Sequence, residues 1–212
     1  MVNGFVREGV MSDKYIERII PGHLELFKDF QEPGKQIAFI KDTHKEGCNE
    51  FNRYPVHCIE GTSESELVSE FIPYEESALV YKKNSTSTIF APNFMTDLEQ
   101  MKKLREVIIT GCCTDICVMN LAIPLQNYFD QHDLDTTIYV PKDLVETYDS
   151  PTHNRDEYNE MAFRLMENTG IKLVKKIGGN YGKYKYYASK KRSNFNGRSW
   201  NKILASNTLP CK

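Results

Sequence analysis

The side chains best placed to do chemistry lie in Glu106 to Asn120, EVIITGCCTDICVMN. Val107, Ile108 and Ile109 are a β-branched apolar run of the kind that fills a buried strand, and Gly111 ends it. Thr114 or Asp115 can then cap a helix. That helix continues with Val118, Leu121, Ala122, Leu125, Tyr128 and Phe129 at the spacing of one buried face. Cys117 therefore falls in the first helical turn after the carboxyl end of a strand, the edge where open α/β sheets bind ligands. The helix N–H groups favour an anion there, which predicts a lowered thiol pKa and a nucleophilic thiolate. Position alone leaves two readings open, a reactive thiol or a small thiol packed under the sheet.

A second group of side chains runs from Asp42 to Thr62. Asp42, His44, Glu50 and His57 put two carboxylates and two imidazoles within sixteen residues of irregular chain. Donors of this mix can converge on one divalent ion; by composition alone the stretch is equally an ordinary polar surface loop. Lys82 and Lys83 end the apolar run that begins at Ala78. A lysine pair at a strand end is, taken alone, a solvated feature.

Gly111, Thr114, Asp115, Cys117 and Val118, in the order Gly-x-x-Thr-Asp-x-Cys-Val, resemble the nucleophile turn of the isochorismatase-like cysteine hydrolases. The resemblance covers Met1 to about Lys176. Asp42-x-His44, Glu50-Phe51 and the run from Pro55 through His57, Cys58 and Gly61 to Thr62 are similar to the metal loop of the nicotinamidase branch. Tyr54 stands where that branch often carries Trp.

The resemblance implies an amidohydrolase that converts nicotinamide to nicotinate and ammonia in NAD salvage, through a thioester on Cys117. It further implies that Lys83 supports the thiolate, with Lys82 as the weaker candidate, and that Ser87 and Phe90 belong to the loop beyond. The backbone N–H groups of Cys113 and Cys117 would form the oxyanion hole, next to a cis peptide at Cys112–Cys113. Phe5 and Tyr54 would border the substrate ring. Asp42, His44, Glu50 and His57 would hold one divalent ion, zinc in first place with manganese or iron as alternatives, while Cys58 would be structural. Two alternatives stand beside this reading: an amidase of the same superfamily acting on another carboxamide, and an inactive remnant.

The family's first strand ends in the pattern apolar-Asp-x-x-Asn-x-Phe. Asn3 and Phe5 match its end, so the catalytic Asp falls one residue ahead of Met1. The expectation is a domain without its first strand and without that acid, poorly soluble or inactive as residues 1–212.

These side chains must be carried by alternating strands and helices. Strands are predicted at 36–41, 78–81, 107–109, 136–140 and 171–174. Helices are predicted from Tyr15 through Ile19, broken at Pro21-Gly22, then at 24–30, 63–71, 94–104, from Cys117 to Phe129 with a kink at Pro124, and at 153–168. That alternation predicts an α/β fold, a three-layer sandwich with a mainly parallel sheet covered on both faces.

The 212 residues suit one domain with a substantial core. Apolar content of 40% and charged content of 26% describe an ordinary soluble protein. No run reaches membrane-spanning length and no signal peptide opens the chain. The six cysteines lack the spacing of a disulfide framework, which points to a reducing, cytoplasmic setting.

The net charge of −2 hides an asymmetry: from Gly178 onward there are eight Lys or Arg and no acid. Residues 1–177 read as the hydrolase domain and 178–212 as a basic, disordered tail. Out-of-frame translation and single-strand nucleic-acid contact are the other readings of the tail, the second ranking last. The partner expected is a small-molecule amide, without membrane, and a homo-oligomer is compatible with the sequence.

Overall fold

The computed structural model describes residues 1–101 and 103–176; the expectations for 178–212 lie outside them. In chain order the helices are α1 (Asn3–Val6), α2 (Lys14–Glu17), α3 (Ile20–Asp29), α4 (Ile72–Glu75), α5 (Phe94–Gln100), α6 (Met119–Gln131) and α7 (Arg155–Asn168). The strands are β1 (Ala38–Asp42), β2 (Leu79–Lys83), β3 (Glu106–Ile108), β4 (Gly111–Cys112), β5 (Thr137–Pro141), β6 (Val145–Glu146) and β7 (Lys172–Val174). Among the described residues every pairing between these strands is parallel: β1 with β2, β3 with β5, β5 with β7, and β4 with β6. The fold is α/β, as the alternation predicts.

The period of β5 shows how the layers stack. Successive strand side chains point to opposite faces. Ile138 and Val140 enter a core with Ala122, Leu125 and Phe129 of α6 and Ala162, Phe163 and Met166 of α7. Tyr139 turns the other way and packs with Leu26 of α3. Helices therefore cover both faces. A second large core joins Phe5, Ile16, Ile20 and Phe27 to Phe39 of β1 and to Leu67, Val68 and Phe71.

Among the described residues no strand precedes α1; Val2 makes an antiparallel bridge to Leu67 and the helix follows at once. Among the described residues β1 is paired only to β2, and β3 only to β5. A cavity of about 110 Å³, lined by Met1, Phe39, Asp42, Lys83, Gly111 and Cys117 among others, lies between these two parts of the sheet.

Several predicted bounds are corrected. Pro21 starts α3 rather than breaking a helix, because its missing N–H falls among the donors that the first turn leaves unpaired anyway. The helix expected at 63–71 is only a 3₁₀ turn at Ser63–Ser65. Its polar side chains are used elsewhere, Ser63 Oγ on Glu8 and the Glu66 carboxylate on Lys41. The helix predicted to begin at His153 begins at Arg155, with Asn154 as the N-cap accepting from the Glu157 N–H. The helix at 94–104 stops at Gln100. The strand at 36–41 shifts to Ala38–Asp42, which puts Asp42 inside the ladder.

Candidate active site

β1 and β2 run parallel in register, so their last residues, Asp42 and Lys83, are direct partners. The alternation of β2 leaves Lys82 in solvent, paired with Glu60, and turns Lys83 inward. Lys83 is 5% exposed and its ammonium forms an ion pair with the equally buried Asp42. The same Nζ donates to the Ser85 carbonyl at 3.0 Å and to Cys117 Sγ at 3.4 Å. An ammonium has three donors, and all three are used.

Cys117 reaches this lysine from the other part of the sheet. Gly111, the first residue of β4, has φ +112°, a conformation in which side chains are strained, and it leads into the Cys112–Cys113 pair, whose peptide bond is cis. The turn that follows, Thr114–Val118, is of π type, wider than an α-helix, and runs directly into α6. It has no side-chain cap: Cys113 holds the N-cap position, not Thr114 or Asp115. The Asp115 carboxylate is drawn sideways instead, accepting from Thr147 Oγ1 at 2.6 Å and meeting His153 Nε2 at 2.9 Å.

The predicted direction for the thiol is also corrected. Burial raises the Cys117 pKa, because desolvation penalises the thiolate more than its surroundings stabilise it. Lys83 opposes this, and so does the Cys113 backbone N–H that faces the sulfur. The thiolate is thus supported by one lysine in a dry site rather than by a helix terminus.

Asp42 links the sulfur to a second cluster. The ligand atoms of Asp42, His44 and His57 lie within 4.8 Å of one another, and all three residues are buried. His44 Nδ1 faces Asn84 Oδ1 at 3.3 Å and His57 Nδ1 faces the Pro55 carbonyl at 2.7 Å. Both contacts leave the Nε2 lone pairs for a ligand, the arrangement that outer partners impose on metal-binding imidazoles. His44 Nε2 is buried without a hydrogen-bond partner. A buried, unpaired nitrogen beside a second imidazole and a carboxylate fits a divalent cation.

Glu50 stands at the edge of the three. Its Oε1 is 3.9 Å from His44 Nε2, and burial raises its carboxyl pKa. Phe5 packs edge-on against the His57 ring at 5.4 Å. Tyr54 is half-buried, with its phenol pKa raised by burial and then by the charges of Glu50 and Cys117, which puts it between the two clusters. Cys58 is fully buried, donates to the Glu64 carbonyl and has its thiol pushed up to about 12, so it is no ligand.

Residues 1–175 match the isochorismatase domain. The chain belongs to the isochorismatase family. This is a family of hydrolases, and the site just described sits at the carboxyl ends of its strands. The chain is 25% identical over 198 residues to nicotinamidase 1 of Arabidopsis thaliana, covering 84% of this chain and 80% of that protein. Its fold is similar to that of the pyrazinamidase of Pyrococcus horikoshii solved in complex with zinc, with TM-score 0.66 and 24% identity over 82% and 94% of the two chains. It is equally similar to that of the N-carbamoylsarcosine amidase of Thermoplasma acidophilum, with TM-score 0.68 and 20% identity over 84% and 95%.

Three residues of this isochorismatase-family site have no signal in the sequence pattern. Asn84, directly after Lys83, braces His44 and also accepts from the Lys45 N–H. Thr147, in a segment that reads as a plain connection, and His153, read as the start of a helix, hold Asp115. Only the residue type of His153, at the start of the predicted 153–168 helix, could have drawn notice.

Proposed function

We propose that this isochorismatase-family chain is a nicotinamidase-type amidohydrolase, converting nicotinamide to nicotinate and ammonia in NAD salvage. The observation that carries the reading is the double engagement of Lys83, which touches Cys117 Sγ and forms an ion pair with Asp42 of the cation cluster. A reacting thiol and a cation site that share one lysine suit a substrate whose amide and ring nitrogen are a short, fixed distance apart. The zinc in the pyrazinamidase neighbour favours zinc here.

Cys117 Sγ gives up its proton and, with its charge supported by Lys83, adds to the carboxamide carbon, and the oxygen that becomes negative takes hydrogen bonds from the N–H groups of Cys113 and Cys117. Collapse expels ammonia and leaves a thioester, which water cleaves to the acid. The proton that leaves the Cys117 thiol goes to the departing nitrogen, which balances the step. Phe5 and Tyr54 border the ring. Asp42, His44 and His57, with Glu50 beside them, would hold the divalent ion, which when bound supplies a Lewis-acid anchor for the ring nitrogen.

The test is ammonia release by the purified protein, loaded with zinc, from nicotinamide, pyrazinamide and a set of aliphatic and N-carbamoyl amides. The reading expects nicotinate and ammonia in equal amounts, with kcat/KM for nicotinamide at least tenfold above the non-aromatic amides. Turnover confined to another amide would keep the thiol chemistry and overturn the substrate. No turnover of any amide would overturn the whole reading.

A further inference from the structure

The Cys117 turn needs an anchor, because its N-cap has no side-chain partner and its π-type geometry leaves it wider than a helix. The anchor is Asp115, two residues before the sulfur. Thr147, fully buried, supplies one hydrogen bond to Oδ1 from the residue after β6. His153 supplies the contact to Oδ2.

His153 is itself held on every side. Its Nδ1 faces the Tyr148 carbonyl at 3.0 Å, and Ser150 and His153 exchange two backbone hydrogen bonds. The ring is stacked between Tyr148, at 3.9 Å and 12°, and Tyr158 of α7, at 3.7 Å and 30°. Both ring nitrogens face oxygen atoms, Nδ1 the Tyr148 carbonyl and Nε2 the Asp115 carboxylate. Such a contact, involving a buried carboxylate, is both strong and directional.

We infer that His153 is a positioning residue: through Asp115 it fixes the turn that sets the Cys117 sulfur against Lys83 and aims the Cys113 N–H. This rests on Cys117 being the reacting thiol of the reading above, but not on nicotinamide being the substrate. Losing the contact leaves the buried Asp115 carboxylate with Thr147 alone, and the turn relaxes. The sulfur then moves away from the ammonium that supports its thiolate. Displacements of this kind slow positioned chemistry without removing any reacting group.

Two variants separate positioning from packing. His153→Phe keeps the aromatic stack and removes the donor; His153→Gln loses the stack and keeps an amide N–H near the place of Nε2. Three quantities are read in each: the melting temperature, the rate of Cys117 carboxamidomethylation by iodoacetamide followed on its peptide, and kcat and KM on whichever carboxamide the unaltered protein hydrolyses. His153→Phe should melt within a few degrees of the unaltered protein while Cys117 alkylation and kcat each fall about tenfold, with KM unchanged. His153→Gln should melt lower yet return alkylation and kcat to within about threefold. Unaltered alkylation and kcat in His153→Phe would overturn the inference, and so would losses in both variants that merely follow their melting temperatures. If the unaltered protein hydrolyses no amide, the amidase reading fails while the alkylation rates still decide the role of His153.

Discussion

Asp42 and Lys83 are register partners at the ends of two parallel strands, and their side chains form an ion pair with each residue only 5% exposed. A buried pair is stable only while both members remain, because removing one strands the other charge away from water. Lys83→Met should therefore cost about 3–5 kcal/mol in urea unfolding. Adding Asp42→Asn should recover a large part of that loss, although neither variant should hydrolyse an amide. Additive losses in the double variant would show that the two side chains do not depend on each other.

Cys117→Ala should abolish amide hydrolysis and leave the melting temperature nearly unchanged, since Cys117 lines an existing cavity. Cys112→Ala should keep most of the turnover, because Cys112 packs against the apolar core beside Phe5 and Phe39. More than a few per cent of normal turnover in Cys117→Ala would remove it from the nucleophile's role. With its pKa raised by burial, the free thiol should also alkylate at a rate still climbing above the ordinary cysteine range.

The protein should bind one divalent ion per chain, and substitution of both His44 and His57 by Ala should abolish binding. Elemental analysis after dialysis against zinc reads this directly. The Michaelis constant for nicotinamide should rise more steeply than kcat falls, as expected for a group that anchors substrate. Unchanged metal content in the double variant would place the ion elsewhere.

His23 is buried between Phe27 and Phe71, with Nδ1 donating to the Ile19 carbonyl, and burial lowers its pKa to about 4. The unfolded ring takes its proton near pH 6.5, so between these values the unfolded state binds more protons. Stability from this residue is thus complete above pH 6.5 and is lost as the pH falls toward 4, by about 3 kcal/mol in total. His23→Phe should flatten that part of the pH dependence. Urea midpoints compared at pH 7.5 and 4.5 give the test: equal slopes in the two proteins would rule His23 out as the titrating group.

Much of this protein was legible in one dimension. The β-branched run ending at Gly111 follows from the identity of a few residues, and the choice of Lys83 over Lys82 from the family resemblance. The parallel α/β class follows from strands and helices taking turns. These are local or periodic properties, and a chain carries them without being folded. The limits of the 63–71 segment were not legible, because Ser63 and Glu66 were claimed by Glu8 and Lys41 from other parts of the chain.

Tertiary structure decided the rest. The direction of the Cys117 shift turned on how dry the site is, a property of the packed molecule that outweighs a helix terminus. Whether Asp42 serves the cation cluster, the lysine or both depended on strand register, which brings position 42 beside position 83. The clamp of Thr147 and His153 on Asp115 joins residues 32 and 38 positions apart. No spacing rule predicts it, because a hydrogen bond between distant loops exists only once the sheet has set their distance.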